Sequence, residues 1–458
     1  MSRSALDPRM ICFEMLFEVY EKEGYAQLVL KQGLKAYPDL SARDKGFATA
    51  LFYGVITRTF TLDFVIEKKI QRTVQELDPA VRTILRMGVW QILFSESIPD
   101  YAAVNTSVAI ASKRANPGGK SLLNAVLRAV ASESDHFQEK LQREKPYVRF
   151  SLSREITGLL IKWYGEEKAE SLANAFLGET QVTARVNRLK TTRSELQEAM
   201  EQEGVDCEFG RLTDQSLTIR LQGVSVDSLQ AYRDGLFMIQ DEAAMLAGIL
   251  SSPRPGDRVM DVCAAPGGKS CHMAELSSDQ ADILALDIHE NRLKLIDDNR
   301  FRLGIRSIRT GISDARNPDL SVTGPEEGYD IVLADVPCSG LGLLKRKPDI
   351  RLTINYSRIQ SLLEVQKDIL MKSSRYVKPG GVLMYCTCTI NPDENGNRVD
   401  AFLKECPEFV LEPLNRLLPQ ALLSDRNHTE EAAKGRIQLL PDTDGCDGFF
   451  IAKMRRTA

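Results

Sequence analysis

At 458 residues the chain exceeds what one hydrophobic core holds, so two or three domains are expected. Apolar residues make up 43% and charged residues 27%, the balance of a globular protein, and no run is long and apolar enough to span a bilayer. The first seven residues lack the apolar core of an export signal, so a soluble cytoplasmic protein is expected, with no membrane partner.

Net charge is −4 but unevenly placed: residues 1–150 carry +4 and residues 151–458 carry −8. The N-terminal excess lies in residues 101–130, where Lys113, Arg114, Lys120 and Arg128 have no acidic residue among them. Such a local basic face can bind phosphates, although a charge run alone more often marks a solvated helix end. The nine cysteines include no C-x-x-C pair and only four histidines accompany them, so no metal site is expected. An odd count without an export signal points to reduced thiols.

Residues 1–140 read as helices only. Apolar residues recur at helical spacing over 10–20, 47–56, 81–94 and 102–111, and Pro99 and the turn at 116–119 punctuate them. Residues 141–235 read as a small α+β connector. It holds one amphipathic helix over 156–176, strands over 182–187 and 217–221, and a charged helix over 194–203. Its Arg185, Arg188, Lys190 and Arg193 form a second basic group suited to phosphates.

Residues 236–458 alternate strands with helices. Strands are expected over 258–263, 283–287, 308–311, 329–334, 381–387 and 449–452, and helices over 270–276, 291–303 and 359–376. Pro379-Gly380-Gly381 is expected to end the last long helix. This rhythm means a Rossmann-like α/β domain with a parallel sheet, whose ligands lie at the carboxyl ends of the strands.

The first of these strands runs into Asp261-Val262-Cys263-Ala264-Ala265-Pro266-Gly267-Gly268-Lys269-Ser270. Glycines at a strand-to-helix turn let a ligand approach the backbone. A phosphate loop needs G-x-x-x-x-G-K-[ST], and Cys263 stands where its first glycine belongs; the dinucleotide pattern G-x-G-x-x-G is also absent. The loop therefore suits a nucleoside without a pyrophosphate. Asp287, ending the next strand, is placed to accept hydrogen bonds from ribose hydroxyls, and Asp314, after the third, from an adenine amino group. A nucleoside-carrying cofactor without a diphosphate suggests S-adenosylmethionine. Cys338, in Asp335-Val336-Pro337-Cys338-Ser339-Gly340, and Cys386 and Cys388, in Tyr385-Cys386-Thr387-Cys388-Thr389, sit at strand ends, where a thiolate can act as a nucleophile. Alternation puts Cys386 and Cys388 on one face of their strand. Cys386 reads as a packing residue.

The segments Ala264-Ala265-Pro266-Gly267-Gly268-Lys269, Asp335 to Gly340, and Thr387-Cys388-Thr389 followed by Asn391-Pro392-Asp393-Glu394-Asn395 resemble, in order and spacing, the RNA cytosine-C5 methyltransferases of the RsmB/NOP/NSUN superfamily. The helical region, with Phe52-Tyr53-Gly54-Val55-Ile56-Thr57-Arg58, Leu62-Asp63, Ala102-Ala103-Val104-Asn105 and Asn124-Ala125-Val126-Leu127-Arg128, resembles a NusB-type RNA-binding domain. The combination is similar to the RsmB-type 16S rRNA enzymes and covers essentially the whole chain.

The resemblance implies a multidomain protein: a NusB-like bundle over 1–140, the connector over 141–235 and a class I S-adenosylmethionine methyltransferase domain over 236–458. It implies Cys388 as the nucleophile that adds to carbon 6 of a cytosine and Cys338 as the residue that assists release. Asp335 would hold the pairing edge of the base or lie against the cofactor. Lys269 would orient the base or lower a thiol's pKa. Cofactor contacts would come from Cys263, Ala264, Ala265, Pro266, Gly267, Gly268, Lys269, Asp287, Asp314 and Asp335. The expected partner is 16S rRNA, presented as a hairpin loop in the unassembled or partly assembled small subunit, to a monomeric enzyme. A tRNA substrate, or a non-catalytic RNA-binding scaffold, are the alternatives; a nucleotide-dependent oxidoreductase or ATPase is disfavoured by the missing phosphate patterns.

Overall fold

The computed structural model describes residues 7–221 and 223–457. Residues 1–6, which carry most of the stretch read for an export signal, lie outside the described residues. The chain forms two compact units: one runs to Gly178 and includes Leu344–Ile354, the other comprises Glu179–Leu343 and the residues from Asn355 onward.

The first unit is helical. Four of its long helices start where the side chain of an Asp, Ser or Asn takes up unpaired N–H groups: Asp7 before Pro8–Lys22, Ser41 before Ala42–Thr57, Asp78 before Pro79–Phe94, and Asn116 before Pro117–Ala131. Pro79–Phe94 is the core helix, buried around most of its circumference. Gly88 lets the helix Pro117–Ala131 approach it closely, because a Cβ there would lie 2.6 Å from Leu127. Arg86, in the middle of this helix, is buried. It is held by a two-pronged pair with Asp63 at 2.7 and 2.8 Å and by the Tyr20 ring at 4.4 Å. The single helix expected over 156–176 is two, Arg154–Tyr164 and Glu166–Ala175, because Gly165 at φ +79° breaks the ladder.

The second unit opens with a four-stranded antiparallel sheet in the order β2-β3-β1-β4, made by β1 (Val182–Val186), β2 (Asp206–Phe209), β3 (Ser216–Arg220) and β4 (Phe237–Ile239). The helix Arg193–Gln202 accompanies it and begins with a reciprocal Thr192–Glu195 cap. Strands β2 and β4 were not expected. The first is a largely exposed edge containing Asp206 and Glu208, and the second is three residues long.

The remaining strands are β5 (Arg258–Asp261), β6 (Asp282–Asp287), β7 (Ile308–Ile312), β8 (Tyr329–Asp335), β9 (Val377–Thr387), β10 (Phe409–Leu411), β11 (Arg436–Leu439) and β12 (Phe449–Arg456). They order as β10-β12-β9-β8-β5-β6-β7, with β11 on β12. Strands β5 to β9 are mutually parallel, and β12 runs antiparallel to β9. The chain moves outward through β6 and β7 and then returns to the other side of β5 as β8, which makes the β5–β8 junction the topological switch point.

Alternation divides the strands between two cores. Val259, Ile283, Ile331, Met384 and Cys386 pack with the helices Glu242–Ser251, Gly268–Leu276 and Glu290–Leu303. Met260, Leu284, Val332, Leu383 and Tyr385 pack with Tyr356–Ser374 and Gly396–Glu405. Pro379-Gly380-Gly381 does not end a helix, since the helix stops at Ser374. Those residues form an irregularity in β9, where the partner of Tyr329 is Val377 and that of Ile331 is Val382. Among the described residues no single helix is long and apolar enough to cross a membrane.

Candidate active site at the carboxyl ends of the central strands

The glycine loop follows β5 and is fastened from several sides. The Ala264 N–H donates to the Leu286 carbonyl and the Gly267 N–H to the Ala264 carbonyl, both at 2.7 Å. Arg292 donates to the Ala265 carbonyl at 2.9 Å and Asn299 to the Pro266 carbonyl at 3.0 Å. Gly267 has φ +96°, and a Cβ there would meet Ile296 at 3.1 Å, so both conformation and space call for glycine. Arg185 Nη1 donates to the Gly268 carbonyl at 2.7 Å, in the first turn of the helix Gly268–Leu276.

This fastening corrects the reading of the connector's basic group. Arg185 is fully buried and paired with Glu275 at 2.7 Å. Lys190 donates to the carbonyls of Asp234 and Arg302, and the Arg193 guanidinium lies over the Phe209 ring at 4.0 Å. Arg188 is exposed. The four therefore do not act as one phosphate-facing set.

Asp287, at the end of β6, is 3% exposed; it accepts from the His289 N–H at 3.1 Å and lies 3.4 Å from Arg292. Asp314 is gripped by Arg316, with the shortest of their contacts at 2.7 Å, and those hydrogen bonds hold its carboxyl below the usual carboxylate range. Two exposed aliphatic side chains, missed in the sequence, stand beside these acids. Ile288 follows Asp287, and Ile312 is its register partner on β7.

Asp261, also missed, ends β5 with 1% exposure. Its Oδ2 accepts from Ser270 at 2.6 Å, while its Oδ1 has no hydrogen-bond partner. Burial pushes this carboxyl up to about 7, against the hydrogen bond from Ser270. An acidic residue closing an apolar strand run is the signal that would have found it.

Lys269 donates to Asp335 at 2.6 Å. Burial opposes the lysine's charge, but the charge and hydrogen bond of Asp335 prevail and raise it above the ordinary lysine value. The thiol that Lys269 favours as an anion is Cys386, and there burial wins: Cys386 is pushed well above the usual thiol range. Cys386 is wholly buried in the core, as expected of a packing residue.

Cys338 and Cys388 meet with their sulfurs 3.2 Å apart. Register explains the meeting. Asp335 of β8 pairs with Cys386 of β9, so the next few residues of each strand enter adjacent loops. The loops are stitched by the Val336 N–H to the Cys386 carbonyl and the Gly342 N–H to the Cys388 carbonyl, both at 3.1 Å. The hydrogen bond to Cys388, together with burial, pushes the Cys338 thiol well up. His272 is buried on Gln215 at 2.8 Å, and burial holds its imidazole well below the usual histidine value, so it serves packing.

Three segments of the chain match known protein families. Residues 248–455 match the family described as 16S rRNA methyltransferase RsmB/F, residues 6–132 the NusB family, and residues 157–227 the ferredoxin-like domain of RsmF/B-like methyltransferases. The chain is 35% identical to the probable ribosomal RNA small subunit methyltransferase B of Bacillus subtilis (strain 168), over 98% of both chains. It is 32% identical to the protein of that description from Synechocystis sp. (strain ATCC 27184 / PCC 6803 / Kazusa), over 98% of this chain and 100% of the relative. The crystal structure of PH0851 superposes with a TM-score of 0.80 at 26% identity, covering 99% of this chain and 100% of that one.

Proposed function

The chain belongs to the 16S rRNA methyltransferase RsmB/F family, and we propose that it methylates carbon 5 of a cytosine in 16S rRNA through a covalent adduct of Cys388 with carbon 6 of the base. The observation that carries this reading is the contact of two thiols, Cys338 and Cys388, beside the Lys269–Asp335 pair at the switch point of the sheet.

The residues present fit S-adenosylmethionine. Asp287 is placed for ribose hydroxyls, and Ile288 and Ile312 offer apolar surface for an adenine ring. The unpaired, buried Oδ1 of Asp261 suits the positively charged end of the cofactor. Asp314, held by Arg316, reaches an adenine amino group only by sharing its oxygens. When bound, the cofactor supplies the methyl group.

Carbon 5 of cytosine is a weak nucleophile. The Cys388 thiolate adds to carbon 6, and the ring becomes an enamine whose carbon 5 carries electron density. Asp335, oriented by Lys269, holds the pairing edge of the base. The hydrogen bond to Cys388 and burial raise the Cys338 thiol, so Cys338 keeps its proton beside the attacking sulfur. After transfer the carbon-5 proton passes to solvent, its electron pair re-forms the carbon 5–carbon 6 double bond, and the carbon 6–sulfur bond breaks while the Cys338 thiol, beside the departing Cys388 sulfur, donates to it. The base has to be single-stranded or flipped to reach these groups. The helical domain, matched to the NusB family, provides an RNA-binding surface for presenting it.

Bisulfite sequencing of 16S rRNA after incubation with the protein and S-adenosylmethionine should reveal a new 5-methylcytosine. Methyl incorporation at any other atom, or into tRNA alone, would overturn the proposal.

A further inference from the structure

Behind the two thiols lies a carboxylate that the reaction above does not use. Glu394 is 0% exposed, and each of its donors is a neutral group. One oxygen accepts from the Ser339 N–H at 2.8 Å and from Gln366 Nε2 at 2.9 Å. The other accepts from the Ser339 hydroxyl at 2.5 Å and from Asn391 Nδ2 at 2.9 Å. Ser339 and Thr389 also share a hydrogen bond at 2.7 Å. Ser339 directly follows Cys338, and Thr389 directly follows Cys388. Gln366 further donates to the carbonyl of Pro337, on the other side of Cys338, at 3.0 Å. The Glu394 carbonyl takes the Tyr385 hydroxyl at 2.7 Å, which ties the same turn back to β9.

A buried carboxylate without a cation is costly unless its oxygens are filled by donors. Here the donors come from both cysteine loops and from the helix Tyr356–Ser374. The loops are bound to each other through one side chain rather than through direct contacts alone.

We propose that Glu394 is a positioning residue: it clamps the Cys338 loop to the Cys388 loop and thereby sets the distance between the attacking and the releasing sulfur. This rests on the reading of the two cysteines given above. Its negative charge also opposes loss of the proton from Cys338, which keeps that proton available beside Cys388.

Phenylarsine oxide tests the distance directly. It bridges two adjacent thiols by forming two arsenic–sulfur bonds, its oxygen leaving as water with the two thiol protons. In the full-length protein it should link Cys338 to Cys388, as mapped by mass spectrometry of the digested adduct. Glu394→Gln keeps the shape of the side chain but sets an NH2 against the donors. Because an ångström of misplacement costs on the order of a hundredfold, E394Q should lower kcat by about that factor and slow bridging of the pair comparably, with KM for RNA and calorimetric S-adenosylmethionine affinity within about twofold. Bridging and kcat at parental levels would overturn the proposal, as would a rise in KM with kcat preserved. If E394Q does not fold, Ser339→Ala removes a single donor and should slow both bridging and kcat by about tenfold; parental values for that variant would overturn the proposal equally. Methylation surviving in Cys388→Ala would overturn the covalent mechanism, while arsenical bridging in the parent would still report on Glu394.

Discussion

At the scale of single residues, the separate roles proposed for the two thiols rest on their surroundings. Cys338 keeps its proton because it is buried and hydrogen-bonded to Cys388, so its removal should arrest the reaction after methyl transfer rather than before attack. Cys338→Ala is expected to accumulate a protein–RNA species that survives denaturing electrophoresis, and Cys388→Ala to form none while binding S-adenosylmethionine with parental affinity in calorimetry. Asp261 sets a second expectation. Its folded-state value of about 7 lies above the ordinary aspartate value of about 3.9, so its contribution to stability is full below pH ~4 and is lost as pH rises through 7. The loss amounts to roughly 4 kcal/mol by pH 8. Asp261→Asn should therefore melt above the parent at pH 8 without cofactor, and the gap should close towards pH 4 in scanning calorimetry. It should also bind S-adenosylmethionine more weakly. The role proposed for Glu394 was illegible in the sequence, because it depends on which donors surround the carboxylate, and Ser339 and Gln366 come from distant segments.

At the scale of elements, the alternating β-α pattern made the large sheet readable, and most of its expected strands agree with the observed ones to within one or two residues. The misses have physical causes. A glycine with positive φ split one helix at residue 165, and a strand irregularity absorbed Pro379-Gly380-Gly381. Edge and three-residue strands carry too little apolar periodicity to be seen. The fastening of the loop after β5 is the element-level finding with the clearest energetic consequence. Strand β1 reaches the following helix through Arg185, whose side chain and that of Glu275 are 0% and 1% exposed. Removing the arginine strands a buried carboxylate, which costs about 3–5 kcal/mol, whereas removing both charges together costs far less. Urea denaturation should show Arg185→Met strongly destabilised and Arg185→Met/Glu275→Leu largely restored. A double variant no more stable than the single one would mean that the pair is not the link between strand and loop.

At the scale of the whole molecule, the segment Leu344–Ile354 leaves the sheet domain just after the Cys338 loop and joins the helical unit. Arg351 secures it there, buried and without an acidic partner, donating to the carbonyls of Thr57 at 2.6 Å, Ser151 at 3.1 Å, Pro348 at 3.1 Å and Leu344 at 3.2 Å. Burial and the nearby Arg58 push its guanidinium down to about 9. Arg351→Leu removes the side-chain donor from those carbonyls and should cost at least about 2 kcal/mol. Hydrogen exchange should then quicken across residues 344–354, with β5 to β9 unchanged. The amino-acid sequence by itself determined the class of each domain, the glycine loop after β5 and the two cysteine motifs, because periodicity and short motifs are local properties of the chain. Tertiary structure alone decided that Arg185 faces the helix after the loop rather than RNA, that residues 344–354 join the helical unit, and that the cysteines of two motifs 50 residues apart meet at 3.2 Å around Glu394. Each of these rests on strand register and burial, which arise only when distant segments pack together.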